Sequence, residues 1–374
     1  MSQTKAKKII TDLLTGAGIT IDGGNPWDIQ INNDNLYQQV LAGGSLALGE
    51  SYMAGWWEAE KLDEFFARVL KADLGDKIKN NWSVLFQIIL SKIFNLQKPA
   101  RAFKIGEHHY DEDPSLYRAM LGEIMTYTCG YWSKGVENLA QAQQAKLDLV
   151  CKKIGLKAGD RVLDIGCGWG SFAKWAAENY GAKVVGLTVS KNQVQYAKDH
   201  YVNLPIDIRL QDYREINDQF DHVVSLGMFE HVGVKNYQTY MTVVKKCLKA
   251  DGLFLLHTIG GNRSVVSTDP WLAKYIFPNS MLPSIAQIGK SIENIFVMED
   301  WHNFSADYDQ TLMAWYHNFI NNWVKKGDKK DERFIRMWSY YLLSCAGSFR
   351  SRTNQLWQIV LSPHGVSGGY KSIR

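Results

Sequence analysis

The sharpest chemical signal in the sequence is DIGCGWG at 164–170, in which Gly166, Gly168 and Gly170 follow the acid Asp164. Glycines so spaced let a ligand approach the backbone where a strand turns into a helix with an exposed N-terminus. A dinucleotide-binding fold would carry an acid about 20 positions further on, at the end of the next strand. Here that strand ends at Thr188, with Ser190 and Gln193 following, which argues against NAD. Open α/β sheets bind ligands at the carboxyl ends of their strands. The residues expected there are Gly166, Thr188, Asp212, Glu230 with His231, and His257 with Ile259. Two titratable side chains, Glu230 and His257, thus converge on adjacent strand ends, as functional groups do. The five cysteines, Cys129, Cys151, Cys167, Cys247 and Cys345, are widely spaced and never form C-x-x-C, so neither a disulfide framework nor a metal site is expected.

These positions require an alternation of strands and helices, and the chain supplies one from about residue 145 onward. Strands are expected at 161–166, 183–189, 206–212, within 221–232, at 253–260, near 295–300 and at 356–362. Helices are expected from Tyr308 through Val324 and from Asp331 through Ala346, after an aromatic, proline-bearing excursion at 261–294. Residues 1 to about 75 read instead as short helices broken at Gly23-Gly24-Asn25-Pro26, Gly43-Gly44, Gly49 and Gly55. Between Lys77 and Lys104 there are six basic residues and no Asp or Glu. Within that stretch Ser83, Gln87, Ser91 and Asn95 form one polar stripe on an otherwise apolar helix, which packs between domains or lies on a membrane surface. The expected organisation is an N-terminal helical, lipid-associated domain at 1–76, a basic amphipathic linker at 77–104 and a catalytic domain at 105–374.

The acid-plus-glycines turn, the alternation and the late final strand resemble the class I methyltransferases, which bind S-adenosylmethionine on a Rossmann-like, seven-stranded α/β sheet. The resemblance becomes specific in LAGGSLALGESYMAGWWEAEKLDEFF (41–66), TYTCGYW (126–132), VLDIGCGWG (162–170), SLGMFEHVG (225–233), YIFPNSMLPS (275–284) and SFRSRTNQLWQIVL (348–361). Together these are similar to the bacterial cyclopropane-fatty-acyl-phospholipid synthases over nearly the whole chain. The resemblance implies methylene transfer from S-adenosylmethionine to a cis double bond of an unsaturated phospholipid acyl chain. It also implies that a bound bicarbonate is the general base, held by Glu230, His257, Tyr308, the Ile259 backbone and Cys129. Tyr127 and Thr128 stand where the family has a tyrosine-serine pair against the cofactor carboxylate. Thr188 and Gln193 would meet the ribose, and Gln211 with Asp212 the adenine side. Because the alkene is a poor nucleophile and its attack leaves a carbocation, a dry aromatic pocket suits the reaction, with Tyr308 the aromatic expected to act beyond packing. Two other functions fit part of this pattern: a small-molecule N-methyltransferase on the same framework, and a non-catalytic acyl-lipid-binding protein.

With 46% hydrophobic and 21% charged residues in 374, the chain is a folded globular protein rather than a disordered or low-complexity one. A net charge of only +4 points to no nucleic-acid partner. The N-terminus, MSQTKAKKIITDLL, has no signal-peptide core, and no run approaches 18 apolar residues. The expected location is the cytoplasm, peripheral to the inner face of the membrane; homodimerisation is left open.

Overall fold

The computed structural model describes residues 2–73, 114–326 and 331–374. The basic stretch 77–104 therefore lies outside the described residues. The described residues divide into two compact units, the first comprising those within 2–73, Ser267–Pro278 and Tyr308–Asn354, the second the remainder.

The second unit is built on a seven-stranded mixed sheet. Its strands are β3 (Arg161–Ile165), β4 (Lys183–Thr188), β5 (Ile206–Leu210), β6 (Phe220–Leu226), β7 (Leu248–Gly261), β8 (Val297–Asn303) and β9 (Asn354–Ser362). Their order across the sheet is β5-β4-β3-β6-β7-β9-β8. The pairs from β5 to β7 are parallel, whereas β8 and β9 run antiparallel. Parallel strands are covered on both faces, which is why β3, β6 and β7 read as near-continuous apolar runs. Leu163 and Ile165 face a core shared with α8 (Tyr237–Cys247) and α10 (Ile285–Ile292), while Val162 faces the opposite core, formed with α5 (Leu139–Lys153) and α6 (Ser171–Tyr180). The chain leaves β3 toward β4 on one side and reaches β6 on the other, so a crevice opens at the carboxyl end of β3. The helix α7 (Lys191–His200), which follows β4, starts at Ser190, whose hydroxyl accepts the Gln193 N–H.

The first unit is helical apart from a two-stranded ribbon of β1 (Gln30–Ile31) and β2 (Trp57–Glu58). Its described helices include α1 (Gln3–Thr15), α2 (Leu36–Met53), α3 (Leu62–Lys71), α9 (Pro270–Tyr275), most of α11 (Ala306–Asn318), which runs on into a π-helical turn at Phe319–Val324, and α12 (Glu332–Arg350). The break expected at Gly43-Gly44 is a kink rather than an end: Gly44 adopts φ 58°, ψ −138°, and α2 continues through Gly49 to Met53. Gly49 is retained for close approach, because a Cβ there would overlap the indole of Trp271 in α9. Tyr52, Trp57, Phe65, Phe66, Trp271 and Tyr340 form one aromatic cluster with ring centroids 4.5–5.5 Å apart. Arg350 at the end of α12 grips both Asp309 oxygens at 2.9 Å and also bonds Asp63 and Glu64 of α3.

Replacing Arg350 by Met keeps the aliphatic stem but leaves Asp63 and Asp309, largely buried, without their shared counter-charge. A loss of about 2–4 kcal/mol in unfolding free energy is expected by denaturant titration. A loss under about 0.5 kcal/mol would show instead that solvent screens these pairs like ordinary surface ones.

Candidate active site

A cavity of about 170 Å³ lies at the carboxyl ends of β3, β4 and β6. Of the ten residues the sequence marks for the cofactor, Tyr127, Thr128, Asp164, Gly166, Gly168, Thr188, Gln193, Gln211 and Asp212 line it. Gly170 is not among the lining residues. It is the N-cap of α6 at φ 81°, packed so closely on Tyr201 that a Cβ would come within 2.7 Å of the ring. The turn itself carries Gly166 at φ 79° and Gly168 at φ 56°, both in the left-handed region. The Thr188 hydroxyl donates to Gln193 Oε1 at 2.5 Å, so the end of β4 and the first turn of α7 present one joined polar edge. Thr128, where the family resemblance has serine, places its additional methyl against Gly227, whose own Cβ would fall within 2.6 Å of it.

Two charged residues that line the cavity escaped the sequence reading. Arg214 closes a bidentate pair with Asp212, Nε on Oδ1 and a terminal nitrogen on Oδ2, each at 2.7 Å, so Asp212 is already engaged by a cation. Lys146 of α5, almost fully buried, donates from Nζ to Thr128 Oγ1 at 3.0 Å. Burial pulls the Lys146 ammonium down to about 8, against the attraction of Cys129 and Asp164. Burial likewise pushes Asp164 up to about 7, with Lys146 opposing, and Asp164 Oδ1 has no hydrogen-bond partner among the described residues.

Beyond the end of β6, the short 3₁₀ turn Phe229–His231 carries Glu230 toward β7. Glu230 Oε1 accepts the Ile259 N–H at 2.7 Å, joining the two adjacent strand ends. That amide is therefore used up by Glu230, and what the Ile259 backbone has left to offer a ligand is the second lone pair of its carbonyl, which already accepts the Thr258 hydroxyl at 2.9 Å. His257, two residues earlier on β7, has Gln358 Nε2 3.4 Å from its Nδ1. Glu230 Oε2 and His257 Nε2 are both buried without a hydrogen-bond partner among the described residues, a costly state unless a polar group meets them. Burial pushes the Glu230 carboxyl up to about 7, and burial with the nearby Lys146 and Lys153 ammoniums holds His257 well below the usual imidazole range. Cys129 is fully buried, its thiol donating to the Gly130 carbonyl at 3.0 Å. Tyr308 belongs to the first unit, where it is buried and stacked on Phe349 with centroids 4.5 Å apart. Among the described residues no group of three or more His, Cys, Asp or Glu is placed to hold a metal ion.

The raised Glu230 carboxyl has a consequence for stability. Between about 4.5 and about 7 the native side chain keeps a proton that the unfolded chain has lost, so the native state binds more protons and its stability falls as pH rises through that window. Glu230→Gln does not titrate. The melting temperature of the wild type relative to this variant is therefore expected to fall from pH 4.5 to pH 7, and a pH-independent difference overturns the assignment.

A parallel-based seven-stranded sheet with this glycine turn at its switch point defines a class I methyltransferase, an S-adenosylmethionine-dependent transferase. Within that class, residues 97–359 match the mycolic acid cyclopropane synthetase family, and the chain belongs to it. It is 52% identical over 367 residues to the cyclopropane-fatty-acyl-phospholipid synthase of Escherichia coli strain K12, covering 98% of this chain and 96% of that one. The solved structure of the cyclopropane synthase MmaA2 from Mycobacterium tuberculosis superimposes with a TM-score of 0.65 at 29% identity, over 70% of this chain and 98% of that one. The mycolic acid cyclopropane synthase CmaA1, complexed with SAH and CTAB, gives a TM-score of 0.61 at 30% identity, again over 70% and 98% of the two chains.

Proposed function

We propose that the protein converts cis double bonds of unsaturated phospholipid acyl chains into cyclopropane rings, using S-adenosylmethionine as the one-carbon donor and bicarbonate as the base. The observation that carries this reading is the 52% identity over 98% of the chain to the E. coli synthase. The pair of orphaned buried atoms, Glu230 Oε2 and His257 Nε2, supports the bicarbonate: a small planar anion with one O–H has the donor and acceptors that such a pair lacks.

In this reading S-adenosylmethionine supplies an electrophilic methyl group, and bicarbonate supplies a base for the proton that must leave before the ring closes. The residues of the chain bind and orient. Asp164, Gly166 and Gly168 admit the cofactor to the backbone at the end of β3; Tyr127 and Thr128 meet its carboxylate; Thr188 and Gln193 meet the ribose; Gln211 and Asp212 border the adenine. Glu230, His257, Cys129 and the Ile259 carbonyl hold the anion. A neutral His257 with its proton on Nε2 donates to an anion oxygen, while the Glu230 carboxyl, poised near neutrality, accepts or donates as the bound species requires. Apolar burial around both groups excludes water, which would otherwise quench a carbocation.

The substrate chain resides in a bilayer, so we place the reaction at the membrane surface by peripheral attachment. No helix among the described residues is long and apolar enough to cross a membrane. The deciding experiment is mass spectrometry of phospholipid vesicles after incubation with protein, S-adenosylmethionine and bicarbonate. Gain of one CH₂ in unsaturated chains only is the expected result. Methylation of an added amine with lipids unchanged would favour an N-methyltransferase instead. Co-sedimentation with the same vesicles, weakening as salt rises, tests the attachment.

A further inference from the structure

The helix α5 reads LAQAQQAKLDLVCKK, and its buried residues include Leu139, Ala142, Gln143, Leu147, Val150 and Cys151 together with Lys146. Lys146 thus occupies a position in phase with apolar residues, where a methionine or leucine would pack without removing a charge from water. Its ammonium ends at the wall of the cofactor cavity, 3.0 Å from Thr128 Oγ1. Asp164, the acid of the glycine turn, faces the same cavity with Oδ1 buried and unpartnered. None of the steps above uses Lys146.

The chemistry of the Thr128 hydroxyl explains what a lysine does here that an apolar residue cannot. A hydroxyl has one proton and two lone pairs, and an ammonium can only donate. With Lys146 occupying one lone pair, the Thr128 proton must point elsewhere, and a charged donor behind the oxygen makes that proton a stronger donor. Thr128 lines the cavity, so a carboxylate entering it meets a hydroxyl already committed to donate. The adjacent Tyr127 and Cys129 lie on the same short segment, so fixing Thr128 also fixes their placement.

We propose that Lys146 is a positioning residue for the amino-acid end of S-adenosylmethionine, acting through the Thr128 hydroxyl. The inference rests on the reading that this cavity binds that cofactor. Calorimetry with two ligands tests it: S-adenosylhomocysteine, which has the amino-acid end, and 5′-methylthioadenosine, which lacks it. Lys146→Met is expected to weaken S-adenosylhomocysteine by about 10- to 100-fold, the reach of one charge-assisted hydrogen bond, and to leave 5′-methylthioadenosine within about twofold. Thr128→Val is expected to do the same. Because both changes cut one chain of contacts, the double variant should bind about as tightly as Thr128→Val alone.

Equal weakening of both ligands in Lys146→Met would make the lysine a structural residue and overturn the proposal, as would unchanged affinity or fully additive losses. The 5′-methylthioadenosine measurement reports directly on folding, and Lys146→Gln, polar and shorter, replaces the methionine variant if that protein does not fold. If the wild-type chain binds neither ligand, the cofactor reading itself fails and takes this inference with it.

Discussion

The Glu230→Gln protein, supplied with unsaturated phospholipid vesicles, S-adenosylmethionine and bicarbonate, is expected to lose about 10²–10⁴ in kcat, the usual contribution of a positioned base. It should still bind S-adenosylhomocysteine as the wild type does, because Glu230 is not among the residues lining the cofactor cavity. Glutamine is the sharper choice over alanine. Its amide oxygen can keep the bond to the Ile259 N–H, so what changes is the outer atom, from the orphaned Oε2 acceptor to an NH₂ donor. His257→Ala should fall in the same range, and the two together should lose little more than either alone, since both hold one anion. Activity in degassed buffer should rise with added bicarbonate in the wild type. Full turnover in Glu230→Gln sinks the constellation; full turnover with carbonate rigorously excluded removes the anion but leaves the two residues to act directly.

Gly168→Val is expected to weaken S-adenosylmethionine binding by well over tenfold, about 1.4 kcal/mol for each decade, with the far-ultraviolet circular dichroism unchanged. The backbone there is left-handed at φ 56°, which costs a branched residue about 1–2 kcal/mol by itself. A Cβ on Gly168 meets no protein atom within 4 Å, so the added bulk stands in the space lined by Thr188 and Gln211 and competes with the ligand instead of the core. Gly166→Val supplies the contrast. Its Cβ would fall 2.5 Å from Met228 Cγ, so that variant should lose melting temperature as well as affinity. If Gly168→Val binds the cofactor normally, the turn is an ordinary strand-to-helix connection and the cavity binds something else.

Much of this site was legible in the sequence because its residues sit where topology, rather than contact, puts them. A strand buried on both faces announces itself as an apolar run, and whatever follows its last residue lies at the ligand-binding edge. Thr188, Asp212, Glu230 and His257 were all found by that reasoning. Lys146 was not, because a lysine in a helix reads by default as solvated. The available signal was its phase: it stands seven residues after Leu139 and four before Val150, on the stripe that must face the sheet. Arg214 was missed because nothing in a sequence says that an arginine two residues after an aspartate will turn back onto it. The glycines of α2 misled for a different reason: Gly49 breaks a helix only if nothing requires its missing side chain, and the residue that does, Trp271, is far along the chain. The two-residue strands β1 and β2 are too short to carry any periodicity. The position of β9 between β7 and β8 depends on long-range pairing that local pattern does not encode.

The interleaving of the first unit bears on how the protein is made. Helix α3 and helix α12 approach until a Cβ on Gly347 would fall 2.6 Å from the Asp63 carbonyl, and Tyr340 of α12 completes the ring cluster begun by Tyr52 and Phe66. A ribosome releases α2 and α3 long before α9 and α12. When β3 to β7 have all emerged, Phe65, Phe66, Tyr52 and Trp57 still have no α9 or α12 to cover them. The unit whose helices emerge first is thus completed only after most strands of the second unit have emerged, just before β9 enters the sheet. It closes around its aromatic cluster only when residues 308–354 return to it, so until then Tyr52 and Phe66 lack the Tyr340 ring that packs against both.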